Sequence, residues 1–365
     1  MWISNSSHMT IAFRADASAH IGVGHVMRCL TLANAMAGRG LKTKFICRYL
    51  PQYLESILIA NGHQVLRLEN APNGDGLDGL PQSKLLGVSQ HQDANETIEA
   101  LKNEKLDWII IDHYGIDARW ETSLRSKASR IMAIDDTADR IHDCDVLLDQ
   151  NYYLNADTRY VGKVPTTCIL LLGPRYALLR DEFREWRAKI KPRSGVVKRV
   201  LVFFGGMDAD NHTSRAIEVL RQICGTEIAV DVVIGAAHSQ REHIESQCLK
   251  YSFHCHVETS RMAELMANAD LSIGAGGSAT WERCSLGLPS LVVPIASNQI
   301  EITSALDSFG ACQNIDSQNV VSEIAIRHAI IEILRNPDRL HAMSIKSFSL
   351  VDGLGVKQLC RVLGY

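Results

Sequence analysis

"RADASAHIGVGHVMRCLTLANAM", residues 14–36, begins as the end of a strand, passes through a glycine pair at Gly22 and Gly24, and continues as a helix from His25. Val26, Leu30, Ala33 and Ala37 recur at the spacing of one helix face, and Gly38 and Gly40 mark its end. Strand, glycine turn and helix in that order open a parallel α/β sheet, and the turn is where such sheets hold their ligands. A histidine directly after the second glycine puts a titratable side chain at that point.

Outward from this stretch, apolar runs alternate with helical patterns. "TIAFRAD", "TKFICR", "LDWIIID", "SRIMAIDD" and "CDVLLDQN" are strand candidates in the first half. Between them, "ENAPNGDGLDGLPQSKLLG" is rich in turn formers and reads as an exposed loop. At 180–199, "RDEFREWRAKIKPRSGVVKR", dense charge and Pro192 interrupt the pattern and indicate a linker with a short helix. The alternation then restarts with "RVLVFFGGMD", "IAVDVVIGAAH", "YSFHCHVE", "ADLSIGAGG" and "PSLVVPIA", with helices around 211–224, 260–268, 279–287 and 299–309. The expectation is an α/β protein of two Rossmann-like domains, 9–180 and 199–365, joined by a linker at 181–198. The terminal helix "GVKQLCRVLGY" either closes the second domain or crosses back to the first. Residues 1–8, before Met9, read as a leader outside the fold.

Composition bounds the function. A chain of 365 residues exceeds what one core usually supports, and 46% hydrophobic with 22% charged residues is ordinary for a globular protein. The net charge of −3, without a long basic run, excludes the footprint of a nucleic-acid binder. No apolar run is long enough to span a bilayer and the N-terminus has no signal-peptide pattern, so a cytoplasmic protein without a membrane partner is expected. The ten cysteines include no C-x-x-C pair and read as reduced, mostly buried thiols. In "SFHCHVE", His254, Cys255 and His256 alternate between strand faces, so the three do not converge on a metal.

Three strand-to-glycine turns stand out: "RADASAHIGVGH", "VFFGGMD" and "LSIGAGGSATWE". One glycine pair equally suits a tight turn, but three over two α/β halves point to a ligand in a cleft. Met27 breaks the dinucleotide fingerprint of the first turn. The third spells G-x-G-x-x-A at Gly274, Gly276 and Ala279, yet "PSLVVPIA" lacks the acidic residue a ribose would need. No P-loop occurs. A nucleoside diphosphate on the second domain fits better: Glu282, four positions after Ser278 on one helix face, can accept from ribose hydroxyls or simply complement the helix dipole.

At these residues the chain resembles a known family. "GAGGSATWERCSLGLPSLVVPIASNQ" is similar to the nucleotide-sugar site of GT-B glycosyltransferases. With "RADASAHIGVGHVMRCLTLA", "IIIDHYGID", "IDDTADRIHDCDVLLDQN", "GPRYALLRDEF" and "FFGGMDADN" in register, it resembles the UDP-2,4-diacetamido-2,4,6-trideoxy-β-L-altropyranose hydrolases, which release the free sugar that a synthase converts to pseudaminic acid, a nonulosonic acid of bacterial surface glycans. The resemblance covers most of residues 10–300. It implies a GT-B-like fold with two parallel sheets facing a cleft, and hydrolysis of a UDP-sugar with inversion, His25 serving as general base. It further implies substrate contacts from Gly22, Gly24, Tyr114, Gly205, Gly206, Gly276, Gly277, Ser278, Glu282, Asn298 and Gln299.

Asp16 either orients His25 or caps its turn, and His113 reads as a strand-end side chain satisfied by backbone. Asp208 and Asp210 form "DAD" but directly follow Gly205 and Gly206, where a backbone phosphate loop is implied rather than a metal site. No metal or cofactor is demanded. The expected partners are a UDP-sugar and water, and the expected state is a monomer. The competing readings are a GT-B glycosyltransferase and a non-catalytic nucleotide-sugar sensor, which would have no need of His25.

Overall fold

The computed structural model describes residues 9–18, 20–70, 78–80, 82–225, 227–315 and 322–365. The leader at 1–8 lies outside the described residues, as do positions 71–77 and 81 of the 69–87 loop. The remainder of that loop is not simply exposed. Ser83–Leu86 forms a 3₁₀ turn that buries Ser83 and Leu86.

The chain divides into two compact units. The first holds a seven-stranded parallel sheet in the order β3-β2-β1-β4-β5-β6-β7. Its strands are β1 Thr10–Ala15, β2 Lys42–Cys47, β3 Gln64–Arg67, β4 Leu106–Asp112, β5 Ala128–Ile134, β6 Val146–Asp149 and β7 Ile169–Leu172. The second unit holds six parallel strands in the order β10-β9-β8-β11-β12-β13: β8 Arg199–Phe203, β9 Ala229–Ile234, β10 His254–Val257, β11 Leu271–Ala275, β12 Ser290–Val293 and β13 Gln313–Asn314. Each order places its switch point beside the unit's first strand, at β1/β4 and at β8/β11, and a switch point opens a crevice at the strands' carboxyl ends.

Strands covered on both faces read as continuous apolar runs, and β4, "LDWIIID", shows why. Trp108 and Ile110 join Ile11 and Phe13 in one layer, while Ile109 and Ile111 join Ala12 and Ile46 in the other. Helix Gly24–Ala37 lays Val26, Cys29, Leu30, Ala33 and Met36 on the first layer. In the second unit Val200, Val202, Leu271 and Ile273 face one core, and Leu201 and Val233 the other.

The expected span of 199–365 for the second domain needs correction at its end. Residues 355–365 belong to the first unit, because Leu359, Cys360 and Leu363 are buried in the layer of Ile11 and Trp108. There Trp108 Nε1 donates to the Leu363 carbonyl at 3.2 Å. The second unit begins at Leu179 and takes in the charged stretch, whose short helix is Asp181–Arg187. All ten cysteines are free and eight are buried.

Candidate active site

In the first unit the residue after β1 is Asp16, β4 ends on Asp112, and helix Gly24–Ala37 starts beside them. Gly22 has φ +79° with open space where a side chain would project, a conformation only glycine adopts cheaply, and its amide donates to Ser18 O at 2.8 Å. Gly24 is the first helical residue. No side chain caps this helix and its first turn holds no acid, which leaves its amides and dipole open to an anion.

His25, in that first turn, is 7% exposed. Its Nδ1 lies 2.5 Å from Asp112 Oδ1. Arg28, one turn on, grips the same carboxylate with Nε at 2.5 Å and Nη2 at 2.6 Å. Burial alone would raise the Asp112 carboxyl, but the Arg28 guanidinium and His25 outweigh it and hold it well below the usual carboxylate range. An ionised Asp112 accepts the Nδ1 proton, so neutral His25 carries its lone pair on Nε2. Tyr114 stands edge-on to the imidazole, 4.8 Å between ring centroids. Burial first, then the nearby Asp136, push its phenol upward, so it remains a donor.

Asp16 does not orient His25. It is fully buried, pairs with Arg14 at 2.7 Å, and accepts from the Arg48 and Tyr49 amides at 2.7 and 3.3 Å. It is a brace between strand ends, shielded from substrate by its own partners. His113 accepts from the Gly115 amide at 3.0 Å through Nδ1 and turns Nε2 toward Asp16 Oδ2 at 3.4 Å.

In the second unit the switch point is lined by glycines. Gly205 has φ +100°. The Gly206 carbonyl accepts from the Gly235 amide at 3.2 Å, a backbone approach that leaves no room for a Cβ at Gly235. Asp208 is buried and caps the following helix, accepting from the His212 and Thr213 amides and the Thr213 hydroxyl at 3.0, 2.8 and 2.6 Å. Its carboxylate is thereby engaged, while the Asp210 side chain stands in solvent.

At the end of β11, a Cβ on Gly276 would meet Thr303 Oγ1 at 2.6 Å. The Gly276 amide is not open to a ligand: it donates to Gln299 Oε1 at 3.2 Å, and the Ile295 amide donates to the same oxygen at 3.0 Å. Gln299 therefore ties two loops together, and Gly277 and the exposed Ser278 form the open part of the turn. Glu282 lies in helix Ala279–Ser285 with Arg180 Nη2 at 3.4 Å. Burial pushes its carboxyl up, opposed by Arg180. Asn298 is exposed at the start of helix Ser297–Phe309. On β10, His256 and His254 approach Asp231 at 2.8 and 4.0 Å while Cys255 packs into the apolar layer, so the three do not converge. Among the described residues, no group of three or more His, Cys, Asp or Glu is arranged to hold a metal ion.

Sequence reasoning missed Asp112, Arg28 and Arg180. Asp112 carried a usable signal: it ends an apolar strand, "WIII", beside the strand that leads into the G-x-G-H turn.

Residues 199–359 match the glycosyltransferase family 28 C-terminal domain. A UDP-2,4-diacetamido-2,4,6-trideoxy-β-L-altropyranose hydrolase of Campylobacter jejuni is 35% identical over 176 residues, 48% of this chain and 53% of that protein. The spore coat polysaccharide biosynthesis protein SpsG of Bacillus subtilis is 23% identical over 359 residues, 97% of this chain and 98% of that protein. The chain spans a little over half the length of two of the curated relatives it matches, 57% and 53%. Among solved structures, MurG of Acinetobacter baumannii superposes with a TM-score of 0.66 at 14% identity, covering 97% of this chain and 99% of its own. The fold is GT-B-like.

Proposed function

We propose that the protein hydrolyses a UDP-linked 2,4-diacetamido-2,4,6-trideoxy hexose at its anomeric C–O bond, with inversion, releasing UDP and the free sugar. The observation that carries this reading is the His25–Asp112–Arg28 arrangement, which turns Nδ1 of the imidazole to a carboxylate and leaves Nε2 free of protein partners among the described residues. UDP is a good leaving group and water a poor nucleophile, so the reaction needs a base more than an acid. His25 Nε2 takes a proton from water as the oxygen bonds to the anomeric carbon. The C–O bond to the diphosphate breaks and its electron pair leaves with UDP.

Asp112 steadies the imidazolium formed, and Arg28 keeps that carboxylate ionised and fixed, so Asp112 is unsuited to attack the sugar itself. Tyr114 limits the tilt of the imidazole, its phenol held by the Asp136 carboxylate. Glu282 accepts from the ribose, while the turns at Gly205–Gly206 and Gly277–Ser278 receive the diphosphate. The partners are then a small substrate and water, with no resident metal.

The test is incubation with candidate UDP-sugars without an acceptor. Rapid NMR should detect an inverted anomer before mutarotation, and heavy oxygen from solvent should appear on the anomeric carbon. Label in UDP would mean attack at phosphorus and overturn the mechanism. The family 28 match favours a second reading, a glycosyltransferase on the same nucleotide site. Turnover only on addition of an acceptor would establish it instead.

A further inference from the structure

The turn at the end of β11 rests on a buried guanidinium that makes no ion pair among the described residues. Arg283, in helix Ala279–Ser285, is 1% exposed. Its Nη2 donates to the Ala275 carbonyl at 2.7 Å and to Thr280 Oγ1 at 3.0 Å, while Nε and Nη1 have no hydrogen-bond partner. A Cβ on Gly274 would sit 3.3 Å from Nη1, which places the charge directly beneath the strand end. The adjacent acid, Glu282, is directed to Arg180.

Arginines of equal burial in the first unit are neutralised. Arg14 pairs with Asp16 and Asp93, and Arg48 with Asp93 and Glu96. Arg283 makes no ion pair among the described residues, and burial draws its guanidinium below the usual range.

A buried cation without a partner is costly, and removing it ordinarily stabilises a protein. Its position suggests a compensating anion. The Ala275–Gly276 peptide is held from both sides, its carbonyl by Arg283 and its amide by Gln299, so Arg283 both shapes the turn and projects positive charge through it. We propose that Arg283 is a positioning residue that selects a diphosphate over an uncharged nucleoside, acting through the turn rather than by touching the ligand. The proposal rests on the nucleotide-sugar reading above and adds what makes that site prefer its anion.

The experiment measures binding of UDP, inorganic pyrophosphate and uridine to the full chain, in wild type, Arg283→Met and Arg283→Lys. Arg283→Met should weaken UDP and pyrophosphate by about ten- to a hundredfold, the scale of one charge acting in a partly buried setting, and leave uridine unchanged. Arg283→Lys should stay within a few-fold of wild type. The unliganded Arg283→Met protein should melt no lower than wild type. If Arg283→Met does not fold, Arg283→Gln, which keeps a donor for Ala275 without charge, carries the same comparison. Equal weakening of uridine and UDP would reduce Arg283 to packing and overturn the proposal. Undiminished UDP binding in the variant would overturn it too, leaving the nucleotide reading intact. A wild-type protein that binds neither UDP nor pyrophosphate would overturn both.

Discussion

In the first unit, β1, β4, β5 and β6 run out into Asp16, Asp112, Asp135 and Asp149, whereas in the second, β8 and β11 run out into Gly205–Gly206 and Gly276–Gly277. The six strands of the second sheet repeat the order of β3 to β6 in the first, which adds only β7 at its edge, so topology does not account for the contrast. The first edge is a row of carboxylates held by Arg14, Arg28 and Arg140, able to orient an imidazole and move a proton. The second edge is mostly backbone, able to approach a bulky anion closely. On the proposed function, one scaffold supports chemistry where side chains crowd the strand ends and binding where they are absent, since function resides in the site and not the fold.

The sharpest way to break this division is to remove the base. His25→Ala should lower turnover by roughly 10² to 10⁴-fold while UDP affinity, which the proposed function assigns to the other unit, changes little. Near-normal turnover in a folded His25→Ala protein would end the general-base assignment.

Asp112→Asn tests whether orientation matters as well as presence. It leaves a neutral amide facing Nδ1 and deprives Arg28 of its carboxylate, so kcat should fall by about 10² to 10³-fold with KM nearly constant, an effect on the transition state alone. A matching rise in KM would move Asp112 from positioning the base to building the pocket.

On the glycine edge the response should have the opposite form. If Glu282 holds the ribose as proposed, Glu282→Ala removes a contact that is the same in ground and transition states, worth about 1.5–3 kcal/mol, so KM should rise about ten- to a hundredfold with kcat largely kept. Calorimetry showing unchanged UDP affinity would make Glu282 a helix-end acid with no ligand.

The two edges were also unequally legible. "GAGGSATWE" and "FFGGMD" display their turns locally, because glycine's conformational freedom is a property of single residues, and the strands that lead into them are continuous apolar runs. The charged edge depends on pairs far apart in the chain: His25 meets Asp112 at 87 positions' remove, and Arg14 meets Asp93 at 79. No periodicity encodes such meetings, which is why Asp16, only nine positions from His25, was the nearer suspect. Short edge strands such as β3 and the two-residue β13 carry too few residues for a period to show. The terminal helix gave no local sign of its destination, since its apolar stripe would suit either core.

The smallest expected effect asks whether the charged edge makes the first unit sensitive to pH. His142 is buried against Glu121, 2.7 Å from Nδ1, and Asp135, 3.8 Å from Nε2. Burial would lower its pKa, but the two carboxylates outweigh it and raise the imidazole from the usual 6.5 to about 9. A histidine that holds its proton more tightly when folded stabilises the native state fully below its unfolded pKa. That contribution is lost as pH rises through the folded value. Between pH 7 and 9 the loss should be roughly 2 kcal/mol or less, a few degrees in melting temperature. Asp149, which burial raises to about 7, does not confuse this window, because its ionised form destabilises the fold between about pH 4 and 7 and its effect is complete above that. Calorimetry at pH 7, 8 and 9 should therefore show the melting of the first unit falling while that of the second holds steady. His142→Gln should flatten the slope, starting from a lower midpoint at pH 7. Parallel falls in both transitions, or an unchanged slope in His142→Gln, would mean that the contrast between the two edges does not extend to their stability.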